Sequence, residues 1–319
     1  MFRTAFAVSI LAAAVVLTGC GAPANNASAA QSSSPEQTKK KKKDSGKVGK
    51  WVGKASHEAS GVAPVPGTDQ VLFVDDNNPN AVYAMSVDDE GNQVGDLTEV
   101  KLGVEVDDPE DITFDGTNYY VVGSQSHPKT DKDAGLVRFT YDASQKTASN
   151  VASIDGLRTL LLAKVPQIAK SGAANGNSDG LNIEGLGWDP ASKRLLLGLR
   201  SPLDGDNAVV VPIDPGAAFS ASSATVGEPV TVPLEGNGIR SIEHDDVSGK
   251  FLIISGAMGG EKKGEFALWT WDLKDAPKKI TVLDQDLKPE GITRVARDGG
   301  NFLFVVCDAG YYFRLDTDL

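Results

Sequence analysis

From Ser60 onward the chain alternates short apolar runs with small or polar breaks, and several runs carry the period of two that a half-buried strand requires. The stretch "EGLGWDPASKRLLLGLRSP", from Glu184 to Pro202, shows the unit: an apolar run, an Asp-Pro turn, and a second apolar run ending in Arg-Ser. Alone it is a hairpin. Aligned on its first residue it recurs as "SGVAPVPGTDQVLFVDDN" from Ser60, "EDITFDGTNYYVVGSQS" from Glu110, "RSIEHDDVSGKFLIISGA" from Arg240 and "EGITRVARDGGNFLFVVCDAG" from Glu290. Starts spaced by 50, 74, 56 and 50 residues fall in the range of repeat architectures.

Each copy runs on into a third strand-like segment ("AVYAMSVD", "GLVRFTYD", "AVVVPID", "FALWTWDL", "YYFRLD"), and four copies into a fourth ("LTEVKL", "ASNVASI", "EPVTVPL", "KKITVL"). Four short antiparallel strands make a propeller blade, so the pattern predicts an all-β propeller of five four-stranded blades. The fifth unit stops without an outer strand. "KVGKWVGKASHE", ahead of the first unit, has strand character and is expected to supply that strand, closing the ring and removing open edges. Between the second and third copies, Leu157, Leu160, Leu161 and Val165 share one helical face, which predicts a helical insertion near 157–180; a degenerate blade there would raise the count to six.

Ahead of the repeats the chain is of another kind. Arg3 precedes the apolar run "AFAVSILAAAVVL" and then "LTGC", the layout of a secretory signal over 1–19, too short for a comfortable membrane span. Leu17-Thr18-Gly19-Cys20 looks like the bacterial lipobox, which implies lipidation of Cys20. Gly21 after the cysteine implies an outer-membrane or surface address. Residues 20–47 are small, polar and then basic, with too little apolar surface to offset ordering entropy, and are expected to form a disordered tether to a body over 48–319. Nine of the 31 basic and two of the 43 acidic residues lie at or before Ser56, which leaves 22 basic and 41 acidic residues beyond it. An acidic body of this kind excludes nucleic acid as a partner, because phosphate contacts need clustered Lys and Arg. The run Lys39–Lys43 suits either an anionic lipid surface or a solvated spacer. The chain has 2 Cys; with Cys20 lipidated, Cys307 in the apolar "FLFVVCDAG" has no partner and reads as a buried thiol.

"PEDITFDGTNYYVVGSQSHPK" at 109–129 and "DGLNIEGLGWDPASKRLLLGLRSPL" at 179–203 resemble the bacterial domain of unknown function 3616, a secreted or periplasmic propeller-like family, over roughly residues 57–319. The Glu-Gly openings are similar, more distantly, to phytase-like and esterase-like propellers. The resemblance implies the fold and an envelope address. Where it implies a histidine after Gly123-Ser124, this chain carries Gln125.

Because the first two strands of a blade are antiparallel partners, the opening residue of each unit and the end of its second strand meet at one mouth. That gathers Ser60, Glu110, Glu184, Arg240 and Glu290 with Asp76, Gln125, His127, Arg200 and Asp308. Two readings of this ring stand side by side. In one, Glu110, Glu184 and Glu290 hold a hard cation such as calcium while Arg200 and Arg240 meet an anionic or sugar-like ligand; in the other, arginines neutralise glutamates and lock neighbouring blades. His127 is the acid–base candidate, His244 in "IEHDDVSG" is expected in an exposed hairpin turn, and "HEASG" at His57 begins like a zinc motif and fails. "DGDN" at 204–207 and "DKDAG" at 131–135 read as turns. The expectation is a lipid-anchored, monomeric envelope propeller that binds a small molecule or envelope component at its mouth, the alternative being a cation-dependent hydrolase of phosphate or carboxyl esters.

Overall fold

The computed structural model describes residues 48–50, 57–127, 134–169, 180–216, 219, 225–258, 264–297, 300–308, 310–317 and 319. The signal segment, Cys20, the basic tether and part of "DKDAG" lie outside the described residues. After β1 (Val48–Lys50), the chain forms β2 (Ala59–Pro64), β3 (Gln70–Asp75), β4 (Ala81–Val87) and β5 (Gln93–Lys101), the first blade. The second is β6 (Pro109–Phe114), β7 (Tyr119–Gly123), β8 (Ala134–Asp142) and β9 (Thr147–Asp155). Helices α1 (Leu157–Lys164) and α2 (Pro166–Ala169) precede the third, β10 (Asn182–Asp189), β11 (Arg194–Ser201), β12 (Ala208–Asp214), β13 (Thr225–Val226) and β14 (Val230–Val232). The fourth is β15 (Gly238–Asp245), β16 (Lys250–Gly256), β17 (Ala267–Trp271) and β18 (Lys278–Val282); the fifth is β19 (Pro289–Val295), β20 (Phe302–Cys307) and β21 (Tyr311–Leu315).

The result is a five-bladed β-propeller. The innermost strands β2, β6, β10, β15 and β19 neighbour one another in a closed circuit. Five apolar clusters hold the blades together, one in each gap: Leu72, Val82, Ile112 and Phe139 between the first two, for example, and Phe73, Met85, Phe304 and Tyr312 between the last and the first. A blade with an apolar layer on both faces needs apolar residues at consecutive positions, which is why β7 and β20 are buried along their whole length and read as runs without alternation.

Ring closure follows the sequence expectation. β1 pairs antiparallel with β21, Val48 opposite Phe313 and Lys50 opposite Tyr311, so residues ahead of the first blade complete the last. The Tyr312 hydroxyl adds a bond from the Gln93 N–H at 3.0 Å, and Arg314 Nη1 donates to the Asp89 carbonyl at 2.6 Å, tying last blade to first.

Three details differ from the sequence reading. The outer strand of the third blade is split into β13 and β14, both on β12, because Pro229 in the intervening Gly227-Glu228-Pro229 has no N–H for the ladder. Among the described residues the helical insertion after the second blade is two short helices in place of one: Val165, extended as the residue before Pro166 is bound to be, ends α1. His244 is a strand residue of β15, since Asp245 is what opens the turn, accepting from the Val247 and Ser248 N–H groups and the Ser248 hydroxyl. The Asp204–Asn207 pair closes a tight turn, as its composition predicts.

Candidate functional site

Every pairing of an inner strand with its second strand slips by one residue near its start. Pro109 faces Gly123 and Asp111 faces Val122; Ile183 faces Leu199 and Gly185 faces Gly198. Ile239 and Ser241 face Ser255 and Ile254, while Pro289 and Gly291 face Cys307 and Val306; β2 slips likewise between Ala59 and Val62. The residues left over are Glu110, Glu184, Arg240 and Glu290, the charged openers of their units. A β-bulge leaves its extra residue outside the ladder and re-aims its side chain. Arg200 is skipped in the same way on β11, between Leu199 and Ser201.

The bulged side chains converge. Arg200 Nη1 donates to Glu184 Oε1 at 2.6 Å, and Asn182 Nδ2 donates to the same oxygen at 3.0 Å. Arg240 Nη1 stands 2.8 Å from Glu184 Oε2 but directs its hydrogen bonds to both oxygens of Glu290, each at 2.9 Å. Both guanidinium groups also lie near the Ala257 carbonyl, Arg200 Nε at 3.3 Å and Arg240 Nη2 at 3.4 Å. Ala257 is in turn part of the wall of a 490 Å³ cavity with Asn237, Met258, Glu235 and Glu265.

Carboxyls outnumber cations here, and their proton affinities show it. Burial, followed by the charges of Glu184, Asp108 and Glu290, pushes the Glu110 carboxyl well above its ordinary range. For Glu290, burial and the Glu184 and Asp308 charges outweigh Arg240 and push it up to about 8. Asp76 is pushed up to about 7 by burial and by Glu58, Asp108, Asp308 and Asp75. The same neighbours raise Arg240 further, so its charge is permanent. Asp308 is anchored 2.5 Å from Lys288 Nζ. Among the described residues three buried acceptors, Asp76 Oδ1, Asn182 Oδ1 and Glu184 Oε2, receive no hydrogen bond.

The geometry therefore brings Glu110, Glu184, Arg200, Arg240 and Glu290 into one network, with Asp76 and Asp308 within its electrostatic reach. Arg240 stands between Glu184 and Glu290, and among the described residues no group of three or more His, Cys, Asp or Glu is placed to hold a metal ion. His127 is exposed, with its Nδ1 2.9 Å from the Ser126 hydroxyl, and no histidine is among the partners of the glutamates described above. Gln125, buried with φ 56°, supports α1 instead: its Oε1 accepts from the Arg158 N–H at 3.2 Å and its carbonyl from the Arg158 guanidinium.

Two participants escape a reading of the sequence. His57 Nδ1 lies 2.6 Å from Asp75 Oδ2, packed edge-on against Tyr83 at 4.7 Å, beside the acidic cluster. Asp111, one residue after a named opener, plugs the axis: Oδ2 accepts from the Leu186 N–H at 2.8 Å and the Ser241 hydroxyl at 3.2 Å, joining three blades. Its signal is an anomaly, since the aligned residues of the other units are Gly61, Gly185, Ser241 and Gly291. The axis is crowded there; a Cβ on Gly291 would stand 2.8 Å from the Gly61 Cα. Mouth and base are thus separate ends.

No family model matches the chain, and no curated protein does. Solved structures do match. A putative oxidoreductase (glucose dehydrogenase) of Thermus thermophilus is similar over 85% of this chain and 99% of its own, at 13% identity and a TM-score of 0.45. The periplasmic gluconolactonase PpgL of Pseudomonas aeruginosa is similar over 77% of this chain at 13% identity and a TM-score of 0.41, and this chain spans 64% of its length. A protein of unknown function from Bacteroides thetaiotaomicron matches 86% of this chain and 62% of its own at 14% identity, with a TM-score of 0.40. At such identities the likeness concerns the fold alone.

Proposed function

We propose that the protein is a lipid-anchored ligand-binding propeller of the bacterial cell envelope, whose mouth takes a small ligand presenting ammonium or hydroxyl donors. The observation that carries this reading is a set of buried acceptors that receive no hydrogen bond among the described residues, Asp76 Oδ1 and Asn182 Oδ1, beside Glu184 Oε2, which has only the ion pair with Arg240. A buried acceptor left unpaired costs about 1–3 kcal/mol, which a donor-bearing ligand recovers on binding. An anion has the weaker claim, because Arg200 and Arg240 are paired with glutamates and, of their buried nitrogens, only Arg240 Nε lacks a hydrogen-bond partner among the described residues. The lipobox at Cys20 supports the anchor, and the exposed large apolar side chains among the described residues, Val94, Val230 and Val247, are scattered over three blades and offer no docking patch.

Thermal melting of the full chain with putrescine, glucitol, calcium and citrate tests the mouth. Putrescine or glucitol should raise the melting temperature, citrate should not, and Glu184→Gln should remove the shift; a citrate shift, or none with any donor, overturns the reading. Cys20→Ser should move the protein from the membrane to the soluble fraction.

Ester hydrolysis is the second reading, favoured by one observation: Glu290, held protonated near neutrality beside Glu184, is placed to act as a general acid. It predicts turnover of p-nitrophenyl acetate or phosphate that is lost on Glu290→Gln. No turnover by the unaltered protein removes it.

A further inference from the structure

The end of the axis opposite the mouth carries two adjoining cavities, of 390 and 210 Å³, that share Pro64, Pro66, His244 and Asp246 as walls. The larger one falls within the ~300–1,000 Å³ usual for small-molecule sites. All five inner strands or the turns that follow them contribute to the pair. The larger cavity has flat apolar walls from Phe114, Trp188 and Pro190, while the smaller is bounded by Thr293, Arg294 and Arg297.

The charges here are already spent. Arg294 holds Asp245 through two bonds of 2.5 and 2.8 Å, and Arg297 donates to the Thr68, Asp69 and Val87 carbonyls. Asp115 accepts from the Thr117 and Asn118 N–H groups, the Asn118 amide and the Tyr120 hydroxyl. Asp246 faces His244 Nδ1 at 2.9 Å. Two side chains keep polar capacity. Glu243, whose carboxyl is raised well above its ordinary range chiefly by burial, accepts from the Thr113 hydroxyl through Oε2 at 2.8 Å, and its Oε1 has no partner among the described residues. The Thr293 hydroxyl, at the aligned position of the next inner strand, is buried and has no partner among the described residues.

We propose that this base cavity is a second binding site, for a neutral sugar ring. A pyranose offers C–H faces that pack on Trp188, Phe114 and proline, and hydroxyls that both give and take hydrogen bonds, matching the Glu243 carboxyl and the Thr293 hydroxyl on the walls. A hydrocarbon would leave Glu243 and Thr293 unpaired. An anion would meet Asp115 and Asp246, while a cation would find Asp115 already engaged by four hydrogen bonds and only the solvent-facing Asp246 beside His244 to pair with.

Titration calorimetry of the full chain with D-glucose, D-galactose, D-mannose and N-acetyl-D-glucosamine, and with choline as a cationic control, tests the site. At least one sugar should bind and choline should not. Trp188→Ala should weaken that sugar about tenfold, the order expected for one aromatic stacking surface. Glu243→Leu should weaken it by a similar factor while Glu243→Gln, which keeps a donor and an acceptor, restores most of the affinity. Thr293→Val, which removes only an unpartnered hydroxyl, should weaken binding without lowering the melting temperature and so separates ligand contact from folding. Val94→Ala, an exposed side chain of β5 outside both ends of the axis, should change nothing. Failure of all four sugars, binding of choline in their place, or loss of the sugar with Glu184→Gln but not with Glu243→Leu overturns the proposal.

Discussion

The two ends of the propeller axis are built from the same five strands and solve the burial of charge in opposite ways. At the mouth, Arg240 is shared by Glu184 and Glu290, so among the described residues removing it takes the only paired cation from Glu290 and leaves Glu184 with Arg200 alone. At the base, Asp245 has a bidentate arginine of its own and keeps donors from Val247 and Ser248 besides. At the base the hairpin turns supply donors to their own aspartates; at the mouth the charges rest on side-chain pairs, Arg200 with Glu184 within one blade and Arg240 with Glu184 and Glu290 between blades. An end with unsatisfied acceptors is one where a ligand gains by binding.

The largest expected break in this contrast is Arg240→Met, which should cost about 3–5 kcal/mol in urea denaturation, since it leaves buried charge uncompensated. Adding Glu184→Gln and Glu290→Gln should recover most of that loss. Arg294→Met at the base should cost less, about 1.5–3 kcal/mol, because Asp245 retains its turn donors. Equal costs at the two ends would erase the distinction.

The pH response sharpens it. Glu290 and Asp76 are raised to about 8 and about 7 from ordinary values of 4.5 and 3.8, so the folded chain holds protons there that the unfolded chain releases. Their contribution to stability is fully present below those ordinary values and is lost as pH rises through 7 and 8. The buried Glu110, Asp111 and Glu243 slope the same way. Asp115 and Asp245, held below the usual carboxylate range by their hydrogen bonds against the opposing effect of burial, contribute stability present above the ordinary value and lost as pH falls through the lower folded one. Melting temperature should therefore decline from pH 5 toward pH 8 in the unaltered protein and decline less in Glu290→Gln. The smallest effect is Thr113→Val, which removes one neutral bond to Glu243 and should cost about 0.5–1.5 kcal/mol by the same denaturation assay.

Much of this architecture is legible in the chain. Five aligned openings give five blades, the missing outer strand and the unclaimed "KVGK" segment give the closure, and the hairpin aspartates follow from their turn chemistry, because all of these rest on local periodicity and turn preference. The ring of charged openers is legible as well, since hairpin partners must meet at one end. Only the tertiary structure decides what those charges do. The bulge that turns each opener out of its ladder, the guanidinium lodged between Glu184 and Glu290, and the Asp111 plug that separates mouth from base depend on distances between blades far apart in sequence. A strand pattern records which face is buried; it does not record which neighbouring blade supplies the partner, and the pairing of buried charge is set by that neighbour.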